Sequence, residues 1–278
     1  MMKYLYSIMV FVLLMISEVN AQEQPSETVI YKTIGDVTLS LHIFNPEGHS
    51  REHSTPAIVF FHGGGWNGGS PSQFYPQSAY LASRGMVAIN VEYRLKDDHG
   101  TSPAESVKDA KSAMRWVRRH AVELGINPNM IAAGGGSAGG DLAAASATLK
   151  DFNEISDDLS ISARPEALVL FNPVYDNGPG GYGHERVAEY WQDFSPLHNL
   201  TENTPPTITF FGTADELVPV ATAQAFKSAM SKLGVRSDLH LYEDQPHGFF
   251  NQAKYTETVR EMDKFLSSLG FISGAPTL

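Results

Sequence analysis

Residues Met130-Ile131-Ala132-Ala133-Gly134-Gly135-Gly136-Ser137-Ala138-Gly139-Gly140-Asp141-Leu142-Ala143 run from a strand-like apolar stretch, through a glycine-dense turn, into an alanine-rich helical stretch. Within them Gly135 to Gly139 has the form G-x-S-x-G. A serine on such a strand–turn–helix bend is held with its hydroxyl in the open, as a nucleophile elbow requires. The backbone folds back on itself there, so the neighbours must be small. Gly135, Gly136, Gly139 and Gly140 are expected to supply the room and to adopt positive φ at little cost. A glycine-rich loop with an incidental serine is the competing reading, and residues elsewhere decide between the two.

A serine hydroxyl is almost never ionised near neutral pH, so it needs a base within hydrogen-bond reach and a carboxylate to orient that base. Of the 10 histidines, three are candidates beyond Ser137: His184, His198 and His247. His247 sits in Gln245-Pro246-His247-Gly248-Phe249, where proline and glycine make a tight mount, and is the expected base, with His184 as the fallback. Asp215, in Gly212-Thr213-Ala214-Asp215-Glu216, follows a strand and is the expected acid. Glu216 is one position away, which turns its side chain elsewhere. An aspartate here could also be a turn or helix-cap residue.

The attacked carbonyl develops negative charge. His62-Gly63-Gly64-Gly65-Trp66 follows another strand, and its glycines let main-chain N–H groups approach an oxyanion. Gly64 and Gly65 are the expected donors, with Ala138 of the elbow as the third. His62 is expected to hold the loop rather than act as base. Trp66, Tyr182 and Trp191 are candidate substrate-binding residues, with packing as the alternative role for the tryptophans.

The segments between these motifs alternate. Residues 28–44 read as an antiparallel hairpin turning at Gly35-Asp36. Ala57–Phe61, Val87–Val91, Met130–Ala133, Ala167–Phe171, Thr207–Phe211 and Asp238–Tyr242 read as strands, mostly with the unbroken apolar character of a parallel sheet covered on both faces. Helices are expected over 103–124, from the serine turn to about Lys150, over Val220–Leu233 with Phe226, Met230 and Leu233 on one face, and over Thr256–Leu269. Ser102, Pro103 and Glu105 mark the first helix start, and Gly125 its stop. The basic residues Arg115, Arg118, Arg119 and His120 suit that helix's C-terminal dipole. The order predicts a doubly wound, mostly parallel α/β sheet. Residues 151–165 read as a surface excursion and 175–200 as a substrate wall or short lid.

The chain has 278 residues, a net charge of −11 and no cysteine. The length suits one catalytic domain, and the acidity argues against nucleic acid or anionic membrane surfaces as partners. Leu5 to Ile16 is almost wholly apolar and too short to span a bilayer; with Lys3 before it and Val19-Asn20-Ala21 after it, residues 1–21 read as a signal peptide cut near Ala21. The expectation is a periplasmic or secreted domain over residues 22–278, with no membrane anchor after cleavage. No metal or cofactor is expected: His49 and His53 lack a carboxylate partner, and no phosphate-binding glycine motif occurs.

His62-Gly63-Gly64-Gly65-Trp66, Glu92-Tyr93-Arg94-Leu95, the Ser137 elbow, Gly212-Thr213-Ala214-Asp215 and His247-Gly248-Phe249, in that order, resemble the α/β-hydrolase esterases, nearest the acetyl esterase and hormone-sensitive-lipase-like branch. The resemblance spans about residues 28–270. That branch usually carries an acidic residue before the nucleophile and a longer N-terminal cap. Gly136 and the short stretch before Ala57 shift the comparison toward smaller secreted esterases, similar to acetylxylan or feruloyl esterases. The resemblance implies a Ser137–Asp215–His247 triad, an acyl-enzyme intermediate, and a short-chain small-molecule or carbohydrate ester as substrate. An arylformamidase-like amide hydrolase, which shares the His-Gly-Gly-x-Trp loop, and a non-catalytic binding module are the alternatives.

Overall fold

A computed structural model describes residues 24–278; the expected signal peptide and its cleavage point lie outside them. The hairpin forms as expected, β1 (Glu27–Ile34) pairing antiparallel with β2 (Val37–Phe44). Next come β3 (Thr55–Phe61), α1 (Tyr75–Ser83), β4 (Val87–Val91), a single turn α2 (Lys96–His99) and α3 (Pro103–Arg119). β5 (Ile126–Gly136) leads into α4 (Ala138–Thr148), followed by β6 (Ala167–Phe171) and two short helices, α5 (His184–Val187) and α6 (Trp191–Phe194). The chain finishes with β7 (Thr207–Gly212), α7 (Val220–Lys232), β8 (Ser237–Tyr242) and α8 (Tyr255–Ser268).

Among the described residues, eight strands form one sheet in the order β1-β2-β4-β3-β5-β6-β7-β8. β2 joins β4 antiparallel, and every pairing from β4 to β8 is parallel. Period-two alternation splits each central strand between two cores. Ala57, Val59 and Phe61 of β3 pack with α3, α4 and α7, whereas Ile58 and Phe60 pack with α1 and α8. Burying each large apolar side chain contributes on the order of 1.5–3 kcal/mol, so both faces must be covered. The chain runs from β3 outward to β4 and then back to β5 on the other side. The crevice outside the carboxyl ends of β3 and β5 is therefore the switch point where ligands bind in such sheets.

Three expectations change. α3 begins with the expected Ser102–Glu105 capping box around Pro103, but it ends at Arg119 rather than Leu124. Residues 120–125 instead make turns that deliver the chain to β5, with the Ile126 N–H donating to the Ala121 carbonyl. The basic residues of α3 bind side chains rather than only facing a helix end: Arg115 pairs with Asp157, Arg118 with Glu166 and Arg119 with Asp158. Residues 151–165 are thereby pinned down. Glu154 is drawn in further, bonding Lys32 at 2.9 Å and Arg94 at 3.0 Å, while fully buried Asp109 bonds the same two cations. On α7, Phe226 and Met230 are buried, but Leu233 is exposed at the cap. No helix among the described residues is long and apolar enough to cross a membrane.

Candidate active site

The elbow glycines act by closeness, not by positive φ. A Cβ at Gly139 would lie 2.0 Å from the Phe61 carbonyl oxygen, and one at Gly135 would lie 2.3 Å from that of Gly139. Helix α4 can therefore start hard against β3 and β5 only with glycine there. The positive φ falls on Ser137 itself, at 54°. That strained conformation is held from both sides: the Ser137 N–H donates to the Phe171 carbonyl, and its own carbonyl accepts from Asp141 and Val174. A side chain at Gly136 would meet the Phe250 ring at 2.9 Å, which explains why no acidic residue stands before the serine.

Ser137 and His247 line one pocket of about 210 Å³ with Gly63, Gly64, Gly65 and Tyr182. The His247 Nδ1–H donates to Asp215 Oδ2 at 2.7 Å, and the Asp215 side chain is fully buried. Asp215 Oδ1 accepts from the N–H groups of Leu217 and Val218, both at 2.9 Å. The turn role and the imidazole-orienting role thus belong to one carboxylate, each to its own oxygen. Glu216 is exposed. The His184 Nδ1–H donates to the Asn177 carbonyl, and His198 bonds the Ser195 hydroxyl; neither histidine lines the pocket.

The loop after β3 has unusual backbone: Gly64, Gly65 and Trp66 have φ of 124°, 62° and 59°. A Cβ on Gly64 would lie 2.0 Å from the Gly68 carbonyl oxygen, so this residue must be glycine. Among the described residues, no acceptor is bonded to the N–H groups of Gly64, Gly65 or Ala138, whereas Gly63 donates to Gln73 Oε1 at 2.6 Å. Asn251 Nδ2 in turn donates to the Gln73 carbonyl and Gln77 Nε2 to Asn251 Oδ1, joining this loop to the segment that follows His247. From the other side Arg186 of α5 donates to the Gly65 carbonyl at 2.5 Å and lies over the Trp66 and Tyr182 rings. The N–H groups of Lys96 and Asp97 bind the carbonyls of Trp66 and Asn67.

Trp66 is 2% exposed and packs under Tyr182 and Phe194, and Trp191 packs edge-on against His184 and His198. Neither lines the pocket, so of the three candidate substrate contacts only Tyr182 reaches it. Sequence reasoning missed Gln73, Arg186 and Asn172. Asn172 follows directly on β6, and the rule that ligand residues follow the carboxyl ends of parallel strands would have found it. Among the described residues no three metal-ligating side chains converge.

His62 holds the loop, as expected: its Nδ1–H donates to the Gly63 carbonyl at 2.7 Å and its ring stacks on Tyr93. Burial lowers its pKa from 6.5 to about 4. Between those values the unfolded chain binds a proton that the folded one refuses, so stability falls as pH drops from 6.5 to 4. The full cost is about 3 kcal/mol at 1.36 kcal/mol per unit. Asn can keep the Nδ1-like donor without a charge. Urea unfolding at pH 7.5 and 4.5 should therefore show wild type losing about 2–3 kcal/mol more than H62N; equal losses would mean that His62 charges freely when folded. Asp141, fully buried on α4 with no partner for either oxygen among the described residues, is shifted the other way, burial pushing its carboxyl well above the usual range.

Comparison with known proteins agrees with this geometry. The BD-FAE family model matches residues 41–176 and that of the dienelactone hydrolase family residues 182–267. Esterase 2 of Thermogutta terrifontis, solved phosphoramylated by tabun, is 43% identical and superposes with a TM-score of 0.86, covering 89% of this chain and 96% of that one. The chain belongs to the α/β-hydrolase esterases. Among curated relatives, the acetylxylan esterase of Xylanibacter ruminicola is 30% identical over 74% of this chain and 42% of its own length. Esterase LipQ of Mycobacterium tuberculosis is 26% identical over 79% of this chain and 56% of its own. The chain spans about half the length of these curated relatives.

Proposed function

We propose that the protein is a serine carboxylesterase for short acyl esters. The observation that carries this reading is the convergence of Ser137, His247 and the glycine loop on one pocket, with Asp215 bonded behind His247 and the N–H groups of Gly64, Gly65 and Ala138 without an acceptor among the described residues. Ser137 Oγ attacks the ester carbonyl carbon as His247 Nε2 takes its proton. The three N–H groups receive the oxyanion. The tetrahedral intermediate collapses, the C–O bond to the alcohol breaks, and His247 returns the proton to the leaving oxygen. A water then attacks the acyl-serine by the same route, releasing the acid and restoring Ser137. Asp215 holds the imidazole in the tautomer that presents Nε2 as acceptor and stabilises the imidazolium between the two transfers.

The small pocket, bounded by the glycine loop, Tyr182, Leu217 and Phe250, supports a short acyl group. Structures of Thermogutta terrifontis esterase 2 with propionate or butyrate bound support the same size class. The likeness to an acetylxylan esterase supports acetyl groups on polysaccharide as the natural ester. Export through residues 1–21 belongs to this reading, since such polymers lie outside the cell. A series of p-nitrophenyl esters tests it. kcat/KM is expected to fall about 100-fold or more from C2–C4 to C10–C12, the loss that two methylenes without room already give at about 1–3 kcal/mol each. Acetate release from acetylated xylan is expected. A maximum at C8 or above would overturn the acyl assignment, and turnover confined to N-formylkynurenine would favour amide hydrolysis instead.

A further inference from the structure

Asn172 is 1% exposed and holds a positive φ of 35°, a conformation that asparagine tolerates better than most residues. Its N–H donates to the Phe210 carbonyl at 2.7 Å, so its backbone is fixed to β7. Its side chain reaches the His247 loop twice. Oδ1 accepts from the Gly248 N–H at 3.2 Å, and Nδ2 lies 3.3 Å from His247 Nε2. The two contacts settle which end of the amide points where. A main-chain N–H can only donate, so the oxygen faces Gly248 and the NH₂ faces the imidazole. An amide N–H pointing at Nε2 requires a lone pair there. With Nδ1–H given to Asp215, Nε2 is that lone pair, and the network has one self-consistent tautomer.

We propose that Asn172 is a positioning residue for the base, its NH₂ donating to the His247 Nε2 lone pair and so fixing the ring and its tautomer in the resting enzyme. This rests on His247 being the base that serves Ser137. The amide donor is the placeholder for the Ser137 hydroxyl: it occupies the same lone pair until substrate is bound. Once Nε2 carries the serine proton, it faces an NH₂ that cannot accept it, so the proton is pushed onward to the leaving oxygen. Asp215, on the loop after β7, is the charged group bonded to the ring, and the one titratable side chain besides His247 that lines the pocket is Tyr182, from the segment after β6. The other pocket residues carry no charge.

N172D tests the proposal, because it keeps the shape and the acceptor for Gly248 but turns the donor at Nε2 into a carboxylate. The acid limb of kcat/KM against pH is expected to move upward by about one unit or more, the usual effect of an opposite charge at this range on a group's charged form. Turnover should recover toward wild type above the new limb. Should N172D be recovered only as aggregate, N172G, which the positive φ favours, reads the same limb through loss of the donor, with an upward shift of about half a unit. A limb that stays in place while kcat falls at every pH makes Asn172 merely structural and overturns the proposal. H247N separates the underlying reading. Retained turnover there overturns the base assignment and this proposal with it, whereas lost turnover beside an unmoved N172D limb overturns the role of Asn172 alone.

Discussion

S137A is expected to lower kcat for p-nitrophenyl acetate by about 10⁵–10⁶-fold, the size of effect seen when a nucleophile that works as a unit with its base is removed. The substitution deletes one oxygen and nothing else of consequence. The positive φ at residue 137 is held by main-chain bonds from Phe171, Asp141 and Val174, none of which uses the side chain. Alanine at that φ costs of order 1 kcal/mol, too little to unfold a domain of this size. Circular dichroism and urea unfolding should remain close to wild type, and a fluorophosphonate probe should no longer label the chain. What survives is the pocket with its unpaired N–H groups and a general base, worth about 10³-fold over the reaction in water. Wild-type turnover in folded S137A would remove Ser137 from the mechanism.

D215N should lower kcat by about 10⁴-fold while leaving the fold and KM nearly unchanged. The effect turns on which oxygen does what. Oδ1 accepts from two main-chain N–H groups, Leu217 and Val218, and those donors cannot be satisfied by an NH₂. The asparagine oxygen must therefore stay on the turn, and the new NH₂ is forced toward His247 Nδ1. The imidazole then has to present a lone pair at Nδ1, which moves its proton to Nε2. The ring sits in place with the wrong nitrogen protonated, unable to take the proton from Ser137. A loss of less than about tenfold would show that the carboxylate does not select the tautomer, since a correct base alone is worth about 10²–10⁴.

Much of this was legible in the sequence, because the elements that carry chemistry are also those with the strongest local signals. Val87–Val91 and Ala167–Phe171 match β4 and β6 at both ends, and Ser137, Asp215 and His247 each follow a strand as expected, whereas β5 runs beyond the expected Met130–Ala133 at both ends, to Ile126 and Gly136. Less legible was the reason for the glycines at the elbow. Positive φ and close approach leave the same mark in a sequence, and only the packing of α4 against the Phe61 carbonyl tells them apart. Helix ends depend on tertiary geometry as well. Leu124 continues the apolar period of α3, yet the start of β5 at Ile126 forces the helix to stop sooner. Trp66 and Trp191 look like substrate platforms from their neighbours in the chain, but their burial is decided by Phe194, Arg186 and the histidines that pack on them. Gln73 and Arg186 act through partners distant in the chain, and no local pattern marks such pairs; Asn172 is marked by nothing but its place directly after β6.

The Gln73 side chain grips Gly63 while its carbonyl is gripped by Asn251, three residues beyond Gly248. The glycine loop after β3 and the segment that follows His247 are thus joined by a strut that bypasses the sheet. A shift of either segment must therefore carry Gln73 with it or break one of these two bonds.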